Sequence, residues 1–161
     1  MTHFTFIPLR LPHASQLHKW LQEEHVRAFW DDGDRTLEQV KAHYFQPRSV
    51  DQFLILYDNK PIGYIQSCAI DERHELAKFH PKGKQTQGID FFIGDKESVG
   101  KGFSIGILEA YAAFLKEGRP LLQALLFDPS ENNPRAIHIY VKFGAKPVGE
   151  HKSKVILVKE L

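Results

Sequence analysis

The apolar run Ile89-Asp90-Phe91-Phe92-Ile93-Gly94 leads through a short polar link into Val99-Gly100-Lys101-Gly102-Phe103-Ser104 and then a long amphipathic stretch. Glycines in such a turn let successive backbone N–H groups converge on one point, and a helix starting there adds the positive end of its dipole. That is anion chemistry, suited to a phosphate or diphosphate held by main chain. A Walker-type nucleotide loop is excluded by spacing: five residues separate Gly94 from Gly100 rather than four, and Gly102 stands where a Ser or Thr would hold magnesium. A second helix start, Asn133-Pro134-Arg135-Ala136, follows about thirty residues on and leads to Tyr140. Together the two point to a small enzyme that holds a phosphate-bearing cofactor. Asp90 is a carboxylate in an otherwise apolar strand, where burial without a partner is costly. It either faces a wet cleft in a functional position, or pairs with a neighbouring strand or helix. Asp128 closes a later apolar run before Pro129, and two readings are open for it. It lies at the carboxyl end of a strand, where ligands collect in open α/β sheets, or it makes an Asx turn.

Other reactive residues offer less. Cys68 lies inside a strand-like run and reads as a buried small hydrophobe. No Ser–His arrangement is evident, so a covalent enzyme intermediate is not expected. His74 and His80 stand six residues apart without a nearby cysteine and read as solvated loop residues; no metal is expected.

The elements that must position these residues are legible from period and punctuation. Residues 3–9 alternate as a strand. Leu17, Trp20 and Leu21 mark a first helix, and Thr36 with Gln39 forms a capping box for a second that runs to about Tyr44. Residues 52–57 and 62–69 are strands joined by the turn-forming Asp58-Asn59-Lys60-Pro61. Residues 70–86 read as a long polar loop, a length more often functional than idle. Residues 88–93 form a strand apolar on both faces, hence central. A helix ending at Gly118, a buried strand over 121–127, a helix over 135–143 and a terminal hairpin complete the order. The fold class is α/β, a mixed sheet with helices on both faces.

Composition bounds the rest. At 161 residues the chain suits one domain, and 21 basic against 20 acidic residues leave a net charge of +1, too balanced to suggest a nucleic-acid or membrane surface. Residues 1–6 alternate like a strand and lack the basic opening of a secretory leader, no apolar run approaches the ~20 residues of a membrane span, and a lone cysteine fits a reducing compartment. The expected location is the cytoplasm.

With both helix starts in place, the chain resembles the GNAT superfamily of acyl-CoA-dependent N-acetyltransferases, and within it the aminoglycoside 6′-N-acetyltransferases. The carrying residues are Trp20-Leu21, Phe29-Trp30, the run from Pro61 to Ser67, Gly88-Ile89-Asp90, Gly100-Lys101-Gly102, Asp128-Pro129-Ser130, and Asn133-Pro134-Arg135-Ala136 with Tyr140 and Gly144. They span nearly the whole length in order.

The resemblance implies one GNAT domain over residues 1–161, with a mostly antiparallel sheet of about six to seven strands. It implies direct transfer of an acetyl group from acetyl-CoA to a primary amine, the 6′-amine of an aminoglycoside first. Backbone from Val99 through Gly100, Lys101, Gly102 and Phe103 to Ser104 would hold the diphosphate. The main chain of Phe92 and Ile93 would hold the pantetheine arm, with an N–H near Phe92 toward the thioester carbonyl. Asn133 and Ala136 would also meet the cofactor. Asp90 would hold and deprotonate the acceptor amine, and Tyr140 would protonate the departing thiolate. Trp30 and Asp31, with Asp32 beside them, would wall the acceptor site; Trp30 reads equally as a core anchor beside a solvated acidic turn. Asp128, and Glu75 from the long loop, would contact a cationic substrate. Expected partners are acetyl-CoA and a small amine, with no nucleic acid and no membrane, in a monomer or homodimer.

The chain departs from the family pattern in three places. Ser104 replaces a glycine or alanine, and Val99 replaces an Arg or Gln. The loop mixes Arg73, Lys78, Lys82 and Lys84 with Asp71, Glu72 and Glu75 instead of being acidic and aromatic. That mixture keeps open a siderophore-precursor or other small amine as acceptor. A non-catalytic acyl-CoA-binding module is the remaining alternative.

Overall fold

The computed structural model describes residues 3–30 and 32–161. Asp31, assigned above to the acceptor site, lies outside the described residues. The strands are β1 (Phe4–Pro8), β2 (Asp51–Tyr57), β3 (Lys60–Ala69), β4 (Gln85–Ile93), β5 (Leu122–Phe127), β6 (Lys146–His151) and β7 (Lys154–Glu160). The helices are α1 (Ala14–Leu21), α2 (Glu24–Arg27), α3 (Leu37–Tyr44), α4 (Phe103–Gly118) and α5 (Pro134–Phe143). The sheet runs β1-β2-β3-β4-β5-β7-β6 and is mostly antiparallel, with β4 and β5 parallel. The doubly apolar β4 is the middle strand, as its composition predicts.

Local chemistry explains most boundaries. At the start of α3, Thr36 Oγ1 accepts from the Gln39 N–H at 3.2 Å and Gln39 Oε1 accepts from the Thr36 N–H at 2.8 Å. The predicted capping box is therefore present. Between β2 and β3, Asp58 and Asn59 both take left-handed backbone angles (φ 46° and 69°), the mirror-image turn that matches strand twist. Lys152 and Ser153 do the same between β6 and β7 (φ 48° and 64°), without the Gly or Asn that would announce it. Short elements escaped the sequence reading: α2 and the 3₁₀ turns Leu11–His13, Ala77–Phe79 and Lys96–Ser98 are too brief to show a period.

The chain forms two compact units. The first comprises residues 1–66 and 91–103, the second residues 67–90 and 104–161. The first has a core of Leu17, Leu21, Val40, Tyr44, Leu54, Tyr64 and Phe92. The second has a core of Ile70, Leu76, Ala124, Leu126, Ile156 and Val158, against which Cys68 and Phe79 pack. Two expectations are corrected here. The loop histidines His74 and His80 are half-buried rather than solvated, and Leu76 between them is buried. Cys68 is half-buried, not buried, with Sγ 3.9 Å from His74 Nε2. Among the described residues no helix is long and apolar enough to cross a membrane, and no group of three or more His, Cys, Asp or Glu could hold a metal.

Candidate functional site

In the first unit, the glycine turn has the conformation its composition demands. Gly100 and Gly102 have φ of 78° and 74°, angles that strain any residue with a Cβ. A Cβ built on either would meet nothing within 4 Å, so the space over the loop is open. α4 starts directly after, and its first turn carries no acid to repel an anion. Its first residue, Phe103, is pinned by stacking on Tyr57 (4.5 Å between ring centres) and by an edge contact to Phe4 (5.4 Å). Just upstream, Asp95 accepts from Ser98 Oγ at 2.7 Å and pairs with Lys60 Nζ at 3.3 Å. Burial pushes the Asp95 carboxyl up, but Ser98 and Lys60 more than offset this and hold it below the usual value. The turn thus fits a diphosphate held by backbone donors.

The strand end leading into this turn is tightly built. Gly94 and Asp95 N–H groups both donate to the Ile62 carbonyl, at 2.8 and 3.0 Å. Gly63 lies so close to β4 that a Cβ there would sit 2.2 Å from the Phe92 carbonyl oxygen, and one on Gly94 would sit 2.2 Å from Trp20 Cγ. The Phe92 ring packs with Trp30 (4.9 Å) and Tyr64 (5.6 Å), so chemistry at this residue falls to its main chain. The Ile93 carbonyl already accepts from His25 Nε2 at 2.8 Å, a partner that no sequence signal announced.

Trp30 takes its core reading. It packs against the first unit's core, and its Nε1–H donates to Tyr44 Oη at 3.0 Å. Tyr44 in turn donates to Asp32 Oδ2, and Arg35 Nε donates to Asp32 Oδ1 at 2.8 Å. Burial pushes the Asp32 carboxyl up, but the Tyr44 and Arg35 hydrogen bonds prevail and hold it low. Asp34 is paired with Arg27 at 2.8 Å. Asp32 and Asp34 are therefore matched by bases of the same chain.

In the second unit, the parallel β4–β5 ladder ends at Gly88–Leu126, and Asp90 follows it, half-buried. Tyr140 is buried on α5, its ring stacked on Phe127 at 4.2 Å. Burial, then the charges of Asp90 and Asp128, push its hydroxyl well above the usual phenol value. Asp128 Oδ2 accepts from Lys154 Nζ at 3.4 Å. Burial lowers the Lys154 ammonium, but Asp128, Asp90 and Glu75 more than offset it and leave it above the ordinary lysine value. Glu75 is held below its usual value by Lys152, whose Nζ lies 3.4 Å from Oε2. His151 Nε2 lies 3.9 Å from the same oxygen. The second unit thus brings Asp90, Asp128, Glu75 and Tyr140 into one electrostatic neighbourhood. It adds Lys152 and Lys154, which carry no motif.

The rest of the expected cofactor set divides. Asn133 Oδ1 accepts from the Ala136 N–H at 3.2 Å, so both serve the α5 cap, and Pro134 occupies the first turn. Ser104 lies half-buried in the first turn of α4.

Comparison with known proteins follows the same lines. The acetyltransferase (GNAT) domain family matches residues 11–153. The aminoglycoside N(6′)-acetyltransferase type 1 of Klebsiella pneumoniae is 26% identical over 141 residues, covering 84% of this chain and 70% of that protein. An uncharacterised protein from Bacillus halodurans superposes with a TM-score of 0.86 at 24% identity, over 98% of this chain and 83% of that one. The aminoglycoside acetyltransferase AAC(6′)-Ib in complex with coenzyme A and kanamycin gives 0.84 at 24% identity, over 98% and 94%. The two superpositions establish a shared fold, and the family match covers most of the chain. The chain belongs to the GNAT acetyltransferase family.

Proposed function

We propose that this acetyltransferase takes acetyl-CoA as donor and acetylates a primary amine of a small molecule directly. The observation that carries this reading is Tyr140, buried against Phe127, with its hydroxyl held protonated by burial and by the charges of Asp90 and Asp128. Acetyl-CoA would supply the acetyl group as a thioester. The backbone N–H groups from Gly100 to Phe103 hold its diphosphate and the main chain at Phe92 orients its arm. Asp90 holds the acceptor's ammonium and removes its proton. A carboxylate near pKa 4 is a weak base for an ammonium several units higher, so Asp90 acts by passing each proton on to solvent rather than by keeping it. The C–N bond forms as the C–S bond breaks; the ammonium's proton and then the nitrogen's surplus proton leave in turn through Asp90 to water, and a solvent proton restores any that Tyr140 gives to the sulfur. Tyr140 lies above a thiol's ordinary value of about 8.5, so its hydroxyl acts first as a hydrogen-bond donor to the leaving sulfur and yields its proton only to developed charge.

The 6′-amine of an aminoglycoside is the first acceptor to test, because the Klebsiella relative is named for that reaction and AAC(6′)-Ib was crystallised with kanamycin. A second reading, a less charged amine such as hydroxylated lysine or ornithine, is favoured by the ion pairs at Glu75 and Asp128. CoA release from acetyl-CoA across aminoglycosides, polyamines and these amino acids separates them. Turnover confined to aminoglycosides with a 6′-amine supports the first, and turnover on singly charged amines the second. Tight acetyl-CoA binding without turnover on any amine would instead indicate a binding module.

A further inference from the structure

We infer that the β6–β7 turn, through Lys152 and Lys154, sets the charge of the acceptor, favouring an amine with one positive charge over a polycation. This rests on the reading of the second unit's acid cluster as the place where the acceptor ammonium is held. Two of the acids assigned to a cationic substrate already face ammonium groups of this chain. Lys154 Nζ lies 3.4 Å from Asp128 Oδ2, and Lys152 Nζ lies 3.4 Å from Glu75 Oε2. A polycation that pairs with either carboxylate must displace its lysine or share the carboxylate with it, and in both cases sits beside a charge of its own sign. An acceptor with one ammonium needs one carboxylate and meets far less of this penalty. Repulsion built against the unwanted ligand is a recognised route to specificity, since selectivity is a difference of affinities.

Lys154 is held more firmly than Lys152, whose side chain is 73% exposed beside a Glu75 that is 61% exposed, so the Lys154–Asp128 pair carries most of the filter. Lys152 and Ser153 hold left-handed backbone angles that cost energy in residues with a Cβ, so something else must enforce them. That something is main chain. The Glu131 N–H donates to the Ser153 carbonyl at 2.9 Å, and the Val155 N–H donates to the Pro129 carbonyl at 2.9 Å. Lys154 also bridges antiparallel to Ser130. The turn is therefore stapled to the segment that follows Asp128, and the staple places Lys154 beside that carboxylate. The carboxylate is only 20% exposed, which limits screening of the pair by water. The electrostatics agree: Asp128, Asp90 and Glu75 all favour the charged form of Lys154. Because the staple uses no side-chain atom of residue 152 or 154, changing those side chains tests charge with the turn retained.

The experiment compares kanamycin, a polycation, with 5-aminopentanol, a monocation, in wild type, Lys154→Gln, Lys152→Gln/Lys154→Gln and the charge-keeping Lys154→Arg. The readout is the ratio of kcat/KM for kanamycin to that for 5-aminopentanol, with kanamycin affinity measured by calorimetry in the presence of CoA. The double variant should raise the ratio about tenfold, mainly through a lower kanamycin KM, and tighten kanamycin binding by a similar factor. Lys154→Arg should keep the wild-type ratio. An unchanged or lower ratio in folded glutamine variants overturns the inference, as does a wild type that already prefers kanamycin. If no variant turns over either amine, the acetyl-transfer reading has failed instead. Calorimetry then still decides the charge filter: tighter kanamycin binding by the double variant supports it, and equal or weaker binding overturns it.

Discussion

At the residue scale, the proposed division of proton work between Asp90 and Tyr140 rests on environments that differ in kind. Asp90 is half-buried on β4, whereas Tyr140 is buried against Phe127. Asp90→Asn should lower kcat by about 100-fold or more, and Tyr140→Phe by about 100-fold, while acetyl-CoA affinity measured by calorimetry stays close to wild type. Loss of acetyl-CoA binding in either variant would assign that residue to structure. Tyr140 also couples to stability. Burial, with Asp90 and Asp128 behind it, raises its folded pKa above the unfolded value near 10, and burial with Asp32 does the same for Tyr44. The stabilisation is then fully present below about pH 10 and lost as the pH rises beyond it, because the unfolded chain releases protons that the folded one keeps. Urea unfolding at pH 8 and pH 11 should show a smaller alkaline loss in Tyr140→Phe than in wild type. An identical loss in the two proteins would mean that Tyr140 titrates normally.

Close approach governs the element scale. β3 reaches β4 at Gly63, where a Cβ would lie 2.2 Å from the Phe92 carbonyl oxygen. That oxygen is backbone and cannot swing aside, so Gly63→Ala should cost about 2 kcal/mol and roughly 6 °C in Tm. It should also weaken acetyl-CoA binding, since the Phe92 main chain would shift. A melting temperature equal to wild type would show that the strands part without cost. The glycine loop before α4 answers a different test. Gly102 has a φ of 74° and open space around it, so Gly102→Asp should fold yet lose acetyl-CoA, through backbone strain and a carboxylate set against the diphosphate. Unchanged affinity in the folded variant would refute the cradle.

The whole chain is covalently threaded through both compact units: β3 and β4 each contribute residues to the two, and α4 begins in one and continues in the other. Residues 1–161 are therefore proposed to unfold as one domain, with a single calorimetric transition whose van't Hoff and calorimetric enthalpies agree. Two separable transitions would make the units independent. A net charge of +1 gives the molecule little overall field, so acceptor selection falls to local charges.

Local chemistry is what the sequence determined unaided. The Thr36–Gln39 capping box, the Asp58-Asn59 turn, the Asn133 cap and the glycine loop each involve residues within a few positions of one another, so composition and period suffice to read them. Asp90 and Asp128 were legible as carboxylates within or at the end of apolar runs, whereas Glu75 and Tyr140 were named through the family resemblance. Only the tertiary structure decided which of these charges are matched. Lys154 meets Asp128 across 26 residues, Lys152 meets Glu75 across 77, and His25 meets the Ile93 carbonyl across 68. Trp30 was open between a ligand face and a core anchor until its indole N–H met Tyr44. The physical reason is that a carboxylate's availability depends on whichever cation the strand register carries beside it. The Lys152-Ser153-Lys154 turn is brought to Asp128 by main-chain bonds to Pro129 and Glu131, and no local pattern encodes that meeting.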